Sequence, residues 1–233
     1  MTNPVICAVD TTDIDYANTL CSKLSGHIGM IKIGLEFFTT HGPQGVEILA
    51  KCGIPIFLDL KLHDIPNTVA KTIKGLMQLD VALLTIHASG GFEMMSAAAQ
   101  MAAQESERLG KPRPLVVGVT VLTSMNETDL AQVGIQNLPD SQVSLLAKLA
   151  KEAGLDGVVC SPLEIEVVRA VCGNAFKTVV PGIRPEGSDK GDQKRILTPK
   201  EAMDKGADYL VIGRPITQSE NPAQTAKAIC DTL

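Results

Sequence analysis

The sequence predicts an α/β fold, a single (β/α)8 barrel domain spanning residues 1–233. Three observations carry that prediction. Eight short apolar, β-branched runs recur from end to end, and each is followed by a polar or glycine-bearing turn and then an amphipathic stretch. Strands that are apolar throughout and alternate with helices read as parallel strands covered by helices. The first run ends in Asp10-Thr11-Thr12-Asp13, without the G-x-G-x-x-G turn of a doubly wound nucleotide-binding sheet. Eight units in a chain of this length match the barrel.

In order, the strand candidates are Val5–Val9, Ile28–Ile33, Ile54–Leu60, Val81–Ile86, Leu115–Val119, Gly157–Cys160, Thr178–Val180 and Tyr209–Ile212. The helical candidates between them are Ile14–Leu24, Gln44–Lys51, Thr68–Leu79, Glu93–Arg108, Gln142–Ala153, Leu163–Val171 and Pro199–Lys205. A last helix, Pro222–Cys230, takes Asn221 as its N-cap, with Pro222 in the first turn, where its missing N–H costs nothing.

Composition excludes several classes of function. The chain is 45% hydrophobic and carries a net charge of −5 without a basic block, so nucleic acid is not an expected partner. Trp is absent, which removes the best base-stacking side chain. No apolar run reaches the roughly 18 residues a membrane span needs. A strand-like run by Val5 leaves no room for a signal peptide. The cysteines at 7, 21, 52, 160, 172 and 230 form no C-x-x-C pair, and two of them sit in apolar strands. They read as reduced thiols of a cytoplasmic protein.

A barrel of this kind presents its chemistry at the C-terminal ends of its strands. Those ends hold Asp10, Lys32, Asp59 with Lys61, His87, Thr120 with Thr123, Ser161, Arg184 and Arg214. Side chains alternate along a strand. Asp59 and Lys61 therefore share a face, and Lys32, between Ile31 and Ile33, points into the barrel. With Asp64 three residues beyond Lys61, the pattern predicts an alternating Lys–Asp–Lys–Asp chain. Charges in an apolar barrel are costly to retain for register alone. Nearby negative charge favours the ammonium form, so Lys61 suits proton donation better than base or Schiff-base chemistry.

Elsewhere, Gly213-Arg214-Pro215 ends the last strand and opens a helical turn, a natural seat for phosphate. The polar, glycine-bearing loop Gly187–Gln193 has the character of a lid. His63 and His87 lack a second ligand at helical spacing and are read as supporting residues.

Asp59-x-Lys61-x-x-Asp64 continuing as Ile65-Pro66-Asn67-Thr68 resembles the motif of the orotidine 5'-monophosphate decarboxylase family, bacterial type. The likeness extends to Lys32 in Ile31-Lys32-Ile33-Gly34, to Pro181-Gly182-Ile183-Arg184 and to Ile212-Gly213-Arg214-Pro215. It implies decarboxylation of orotidine 5'-monophosphate to UMP and CO2, the last step of UMP synthesis, with no cofactor and no metal. It further implies Lys61, Asp59, Lys32 and Asp64 as catalytic residues. Asp10 and Thr123 are expected on the ribose and pyrimidine, and Arg184, Gln193, Gly213 and Arg214 on the phosphate or base. A homodimer is expected, with Asp64 and Thr68 reaching the neighbour's site, and Ile65 is expected to bind substrate. The wider superfamily includes magnesium-dependent sugar-phosphate decarboxylases and aldolases, which carry a glutamate where this chain has Lys32; an ammonium there repels a metal ion. A barrel that only binds a phosphorylated ligand is the remaining alternative.

Overall fold

The structure, a computed structural model, describes residues 3–185 and 197–233. Eight strands run parallel and close into a barrel in chain order, β8 pairing with β1. They are β1 (Val5–Ala8), β2 (Met30–Ile33), β3 (Ile56–Leu62), β4 (Leu83–His87), β5 (Leu115–Val119), β6 (Gly157–Val159), β7 (Lys177–Val180) and β8 (Tyr209–Ile212). The helices are α1 (Ile14–Leu24), α2 (Leu35–Ala50), α3 (Pro66–Leu76), α4 (Gly91–Leu109), α5 (Glu127–Gln132), α6 (Pro139–Glu152), α7 (Ile165–Cys172), α8 (Pro199–Asp204), α9 (Arg214–Thr217) and α10 (Pro222–Cys230).

Strand alternation builds two separate cores. Val5, Cys7 and Val9 on β1 and its extension, with Ile31 and Ile33 on β2, pack outward against the helices. Ile6, Ala8, Phe57, Leu83, Val117, Val179 and Val211 fill the barrel interior. Fully burying each large aliphatic or aromatic side chain stabilises by roughly 1.5–3 kcal/mol. The interior plug ends where the polar strand ends begin, so it forms the floor of whatever lies above.

Local chemistry sets the helix boundaries. Asp13 caps α1, its carboxylate accepting from the Tyr16 N–H at 2.9 Å. Asn221 caps α10 as expected, accepting from Gln224 at 3.2 Å. Gly110, at φ 63°, closes α4 in the left-handed conformation that glycine tolerates. The second helix differs from expectation, beginning at Leu35 rather than Gln44. It runs through a break at Gly42 (φ 59°, ψ −159°) and Pro43, so the expected segment is the second of two helical pieces joined by a kink.

The opposite rim of the barrel is fastened by carboxylates. Asp156 takes the Val116 N–H at 2.7 Å and the Arg113 guanidinium at 2.8 Å. Asp208 takes the Thr178 N–H at 2.9 Å, with Arg169 at 2.5 Å and Lys177 at 3.0 Å. Burial pushes the Asp208 carboxyl up, but these hydrogen bonds prevail and hold it below the usual carboxylate range. All six cysteines are free. Burial pushes the Cys7 thiol far up and the Cys21 thiol up to about 12, which keeps both unreactive. Among the described residues no helix is long and apolar enough to cross a membrane.

Candidate active site

Above the interior plug lies a cavity of about 510 Å³, open at the C-terminal ends of the strands. Its floor is Ala8, Phe57, Val119, Val159, Val179 and Val211. On one side stand four charges in a line. Lys32 Nζ is 3.1 Å from Asp10 Oδ1 and 3.6 Å from Asp59 Oδ2, and Lys61 Nζ donates to the same Asp59 oxygen at 2.8 Å. The Asp59 and Lys32 side chains are only 9% and 12% exposed. Two ammonium groups thus converge on one nearly buried carboxylate oxygen, leaving Lys61 with room to face a ligand.

Adjacent strands assemble this line. Ala8 pairs with Lys32 and Lys32 with Phe57, which brings Asp10, Lys32 and Asp59 side by side. Gly34 makes the approach possible, since a Cβ there would stand 3.0 Å from Lys32 Nζ and 3.4 Å from Asp10 Oδ1. Within one chain the fourth charge is Asp10, which the sequence reading had left out of the line. The observed order is Asp10–Lys32–Asp59–Lys61. Asp64 is exposed beyond the end of β3, and its Oδ1 accepts from the Ile65 N–H at 2.7 Å.

Simple alternation is not what aims Lys61. Leu58 pairs with Leu84 and Leu62 with Ile86, so four residues of advance along β3 meet two along β4. This bulge puts Lys61 at φ 51°, the only positive φ of a non-glycine among the described residues. A left-handed backbone at such a residue costs on the order of 1–3 kcal/mol, and that strain concentrates at functional sites. Leu60 and Leu62 still pack outward against the main core.

Across the cavity, Arg184, Gly213 and Arg214 face the charged line. Arg184 is 8% exposed and anchored by a bond from Nη1 to the Ile183 carbonyl at 2.9 Å. A Cβ at Gly213 would meet nothing nearer than Ala8 Cβ at 3.5 Å. Protein packing does not demand glycine there, so its open side is available to a ligand. Among the described lining residues two lysines and two arginines stand against two aspartates, a balance that favours an anion.

Eight of the residues expected from sequence line this one cavity: Asp10, Lys32, Asp59, Lys61, Thr123, Arg184, Gly213 and Arg214. Ile65 and Thr68 join Asp64 on an exposed surface away from it. Gln193 and the expected lid loop lie outside the described residues. Sequence reasoning missed Gln218, which lines the cavity; its spacing of four from Arg214 on a helical turn was the available signal. The His63 and His87 rings lie 5.3 Å apart, neither lining the cavity. Among the described residues no group of three or more His, Cys, Asp or Glu could hold a metal ion.

The family described as "Orotidine 5'-phosphate decarboxylase / HUMPS family" matches residues 3–229. The chain belongs to this family. Among similar curated proteins is one named orotidine 5'-phosphate decarboxylase from Paramagnetospirillum magneticum, 54% identical over 98% of this chain and 97% of that protein. A protein of the same name from Ehrlichia canis is 53% identical over 99% of this chain and 98% of its own length. The crystal structure of orotidine 5'-phosphate decarboxylase from Lactobacillus acidophilus superposes with a TM-score of 0.87 at 37% identity. It covers 99% of this chain and 98% of that one. The names of these relatives are those of a carboxy-lyase.

Proposed function

We propose that this chain, as one catalytic domain over 1–233, decarboxylates orotidine 5'-monophosphate to UMP and CO2 as the last step of UMP synthesis, without metal or organic cofactor. The observation that carries the reading is the Asp10–Lys32–Asp59–Lys61 line facing two arginines across a single cavity. Arg184 and Arg214 seat the phosphate, with Gln193 and Gly213, while Asp10 and Thr123 hold the ribose and pyrimidine.

Breaking the C6–carboxylate bond leaves an electron pair on C6 in the plane of the ring, where the π-system cannot delocalise it. Lys61 faces that position as an ammonium. It stabilises the developing carbanion, then transfers its Nζ proton to C6 and regains one from water. Asp59 lies against the departing carboxylate, and their repulsion falls as neutral CO2 leaves. Binding of the remote phosphate supplies the energy that draws the two anions together. Lys32 disfavours the magnesium-dependent reading, because its ammonium stands between the two carboxylates a metal would need.

The reading includes a homodimer in which Asp64, Ile65 and Thr68 complete the neighbour's cavity, supported by their exposure on one chain. A cytoplasmic location is supported by six free thiols. The deciding assay follows the absorbance loss of orotidine 5'-monophosphate with protein treated exhaustively with chelator. Full turnover is expected; dependence on added magnesium overturns the cofactor-free reading, and no turnover with or without metal overturns the activity.

A further inference from the structure

Thr85 lies on β4 beneath the charged line, 1% exposed and outside the cavity lining. Its hydroxyl makes two directed bonds. The O–H donates to Asp59 Oδ1 at 2.9 Å, and the oxygen accepts the Lys61 backbone N–H at 2.9 Å. The second bond replaces a ladder partner that the β3 bulge removes, since regular pairing with β4 lapses between Leu58 and Leu62. The first fixes the carboxylate's rotation. With Oδ1 held from below, Oδ2 is the oxygen presented to both Lys61 and Lys32.

We infer that Thr85 is a positioning residue for decarboxylation, one hydroxyl holding both the Asp59 carboxylate plane and the left-handed backbone of Lys61. The inference rests on the decarboxylase reading of the site and adds a residue that touches no substrate. It differs from plain core packing in its chemistry. Valine keeps the shape and the β-branch of threonine but carries neither the donor nor the acceptor. It also leaves the Lys61 N–H and Asp59 Oδ1 without these partners in a buried place, where an unmet polar group is costly.

The experiment compares wild type, Thr85→Val and Thr85→Ser, each checked for thermal unfolding. Steady-state turnover of orotidine 5'-monophosphate and hydrogen exchange of the Lys61 amide by NMR are then measured. Thr85→Val is expected to lower kcat about ten- to a hundredfold, equivalent to about 1.4–2.7 kcal/mol of barrier. KM should change less than about threefold, a split that marks groups acting on the transition state. The Lys61 amide should exchange at least about tenfold faster, while neighbouring β4 amides stay protected. Thr85→Ser, which keeps the hydroxyl, should return kcat and exchange to within a few-fold of wild type. Wild-type kcat in Thr85→Val overturns the inference, as does equal loss in both variants tracking a common fall in melting temperature. If wild type itself does not turn over the substrate, the functional reading fails separately. The Lys61 exchange then decides the positioning role alone, and an unchanged rate overturns it.

Discussion

Lys32 Nζ stands 3.1 Å from Asp10 Oδ1, an almost buried ammonium meeting a half-exposed carboxylate. Asp10 is therefore placed to bind a ligand with one face while holding Lys32 with the other. Asp10→Asn keeps the shape and removes the charge. A charge-assisted hydrogen bond contributes roughly 1.5–3 kcal/mol, so kcat/KM should fall by about ten- to a hundredfold with little change in melting temperature. Unchanged kcat/KM in steady-state kinetics would remove Asp10 from the site.

Lys61→Ala should abolish turnover while a UMP-class nucleotide still binds, because the arginine side of the cavity stays intact. Isothermal titration calorimetry with UMP, beside the absorbance assay, separates the two effects. Retained turnover sinks Lys61 as the proton donor.

The shared-site arrangement has its own test. Hybrids of inactive Lys61→Ala and inactive Asp64→Ala subunits should regain activity, since one cavity per hybrid then combines intact Lys61 and Asp64. Absence of recovery in verified hybrids counts against a site completed by the neighbour.

Burial, then the nearby His63 and Lys61, hold His87 below the ordinary histidine range, with Asp59 opposing them. The unfolded chain, with a histidine pKa of about 6.5, thus takes up this proton before the folded chain does. Stability conferred by neutral His87 is present above that value and is lost as pH falls toward the folded pKa. Melting temperature should drop from pH 7 to pH 5, and less steeply in His87→Gln. Parallel curves for the two proteins contradict this assignment.

On β6, a Cβ at Gly157 would stand 2.3 Å from the Lys177 carbonyl oxygen. Backbone cannot yield as a side chain can. Gly157→Ala should destabilise by about 1–3 kcal/mol, lowering the melting temperature by roughly 2–4 °C per kcal/mol. Calorimetry showing an unchanged transition would mean β6 and β7 can move apart.

How legible the molecule was depended on how local each cause is. Apolar β-branched runs announced all eight strands, because a parallel strand buried on both faces writes its burial directly into composition. Lys32 between two isoleucines announced its own direction in the same way. Asp10 did not: its partnership with Lys32 follows from Ala8 pairing with Lys32 across strands, and Asp64 was nearer in sequence though not in space. The Lys61 backbone was hidden too, since the Asp59–Leu62 stretch contains no glycine to mark a left-handed turn. Thr85 resembled any strand threonine, its role set wholly by what the β3 bulge left unpaired.

Pairing of β1 with β8 joins the part of the cavity synthesised first to the part synthesised last. The acid–lysine line is complete by residue 61, whereas Arg184 and Arg214 emerge more than a hundred residues later. A nascent chain therefore carries the acid–lysine half of the cavity long before it carries the arginine half. The same division suits a split protein. A break in the α5–α6 connection leaves the acid–lysine line on one fragment and the two arginines on the other, so activity regained on mixing would report their reassembly.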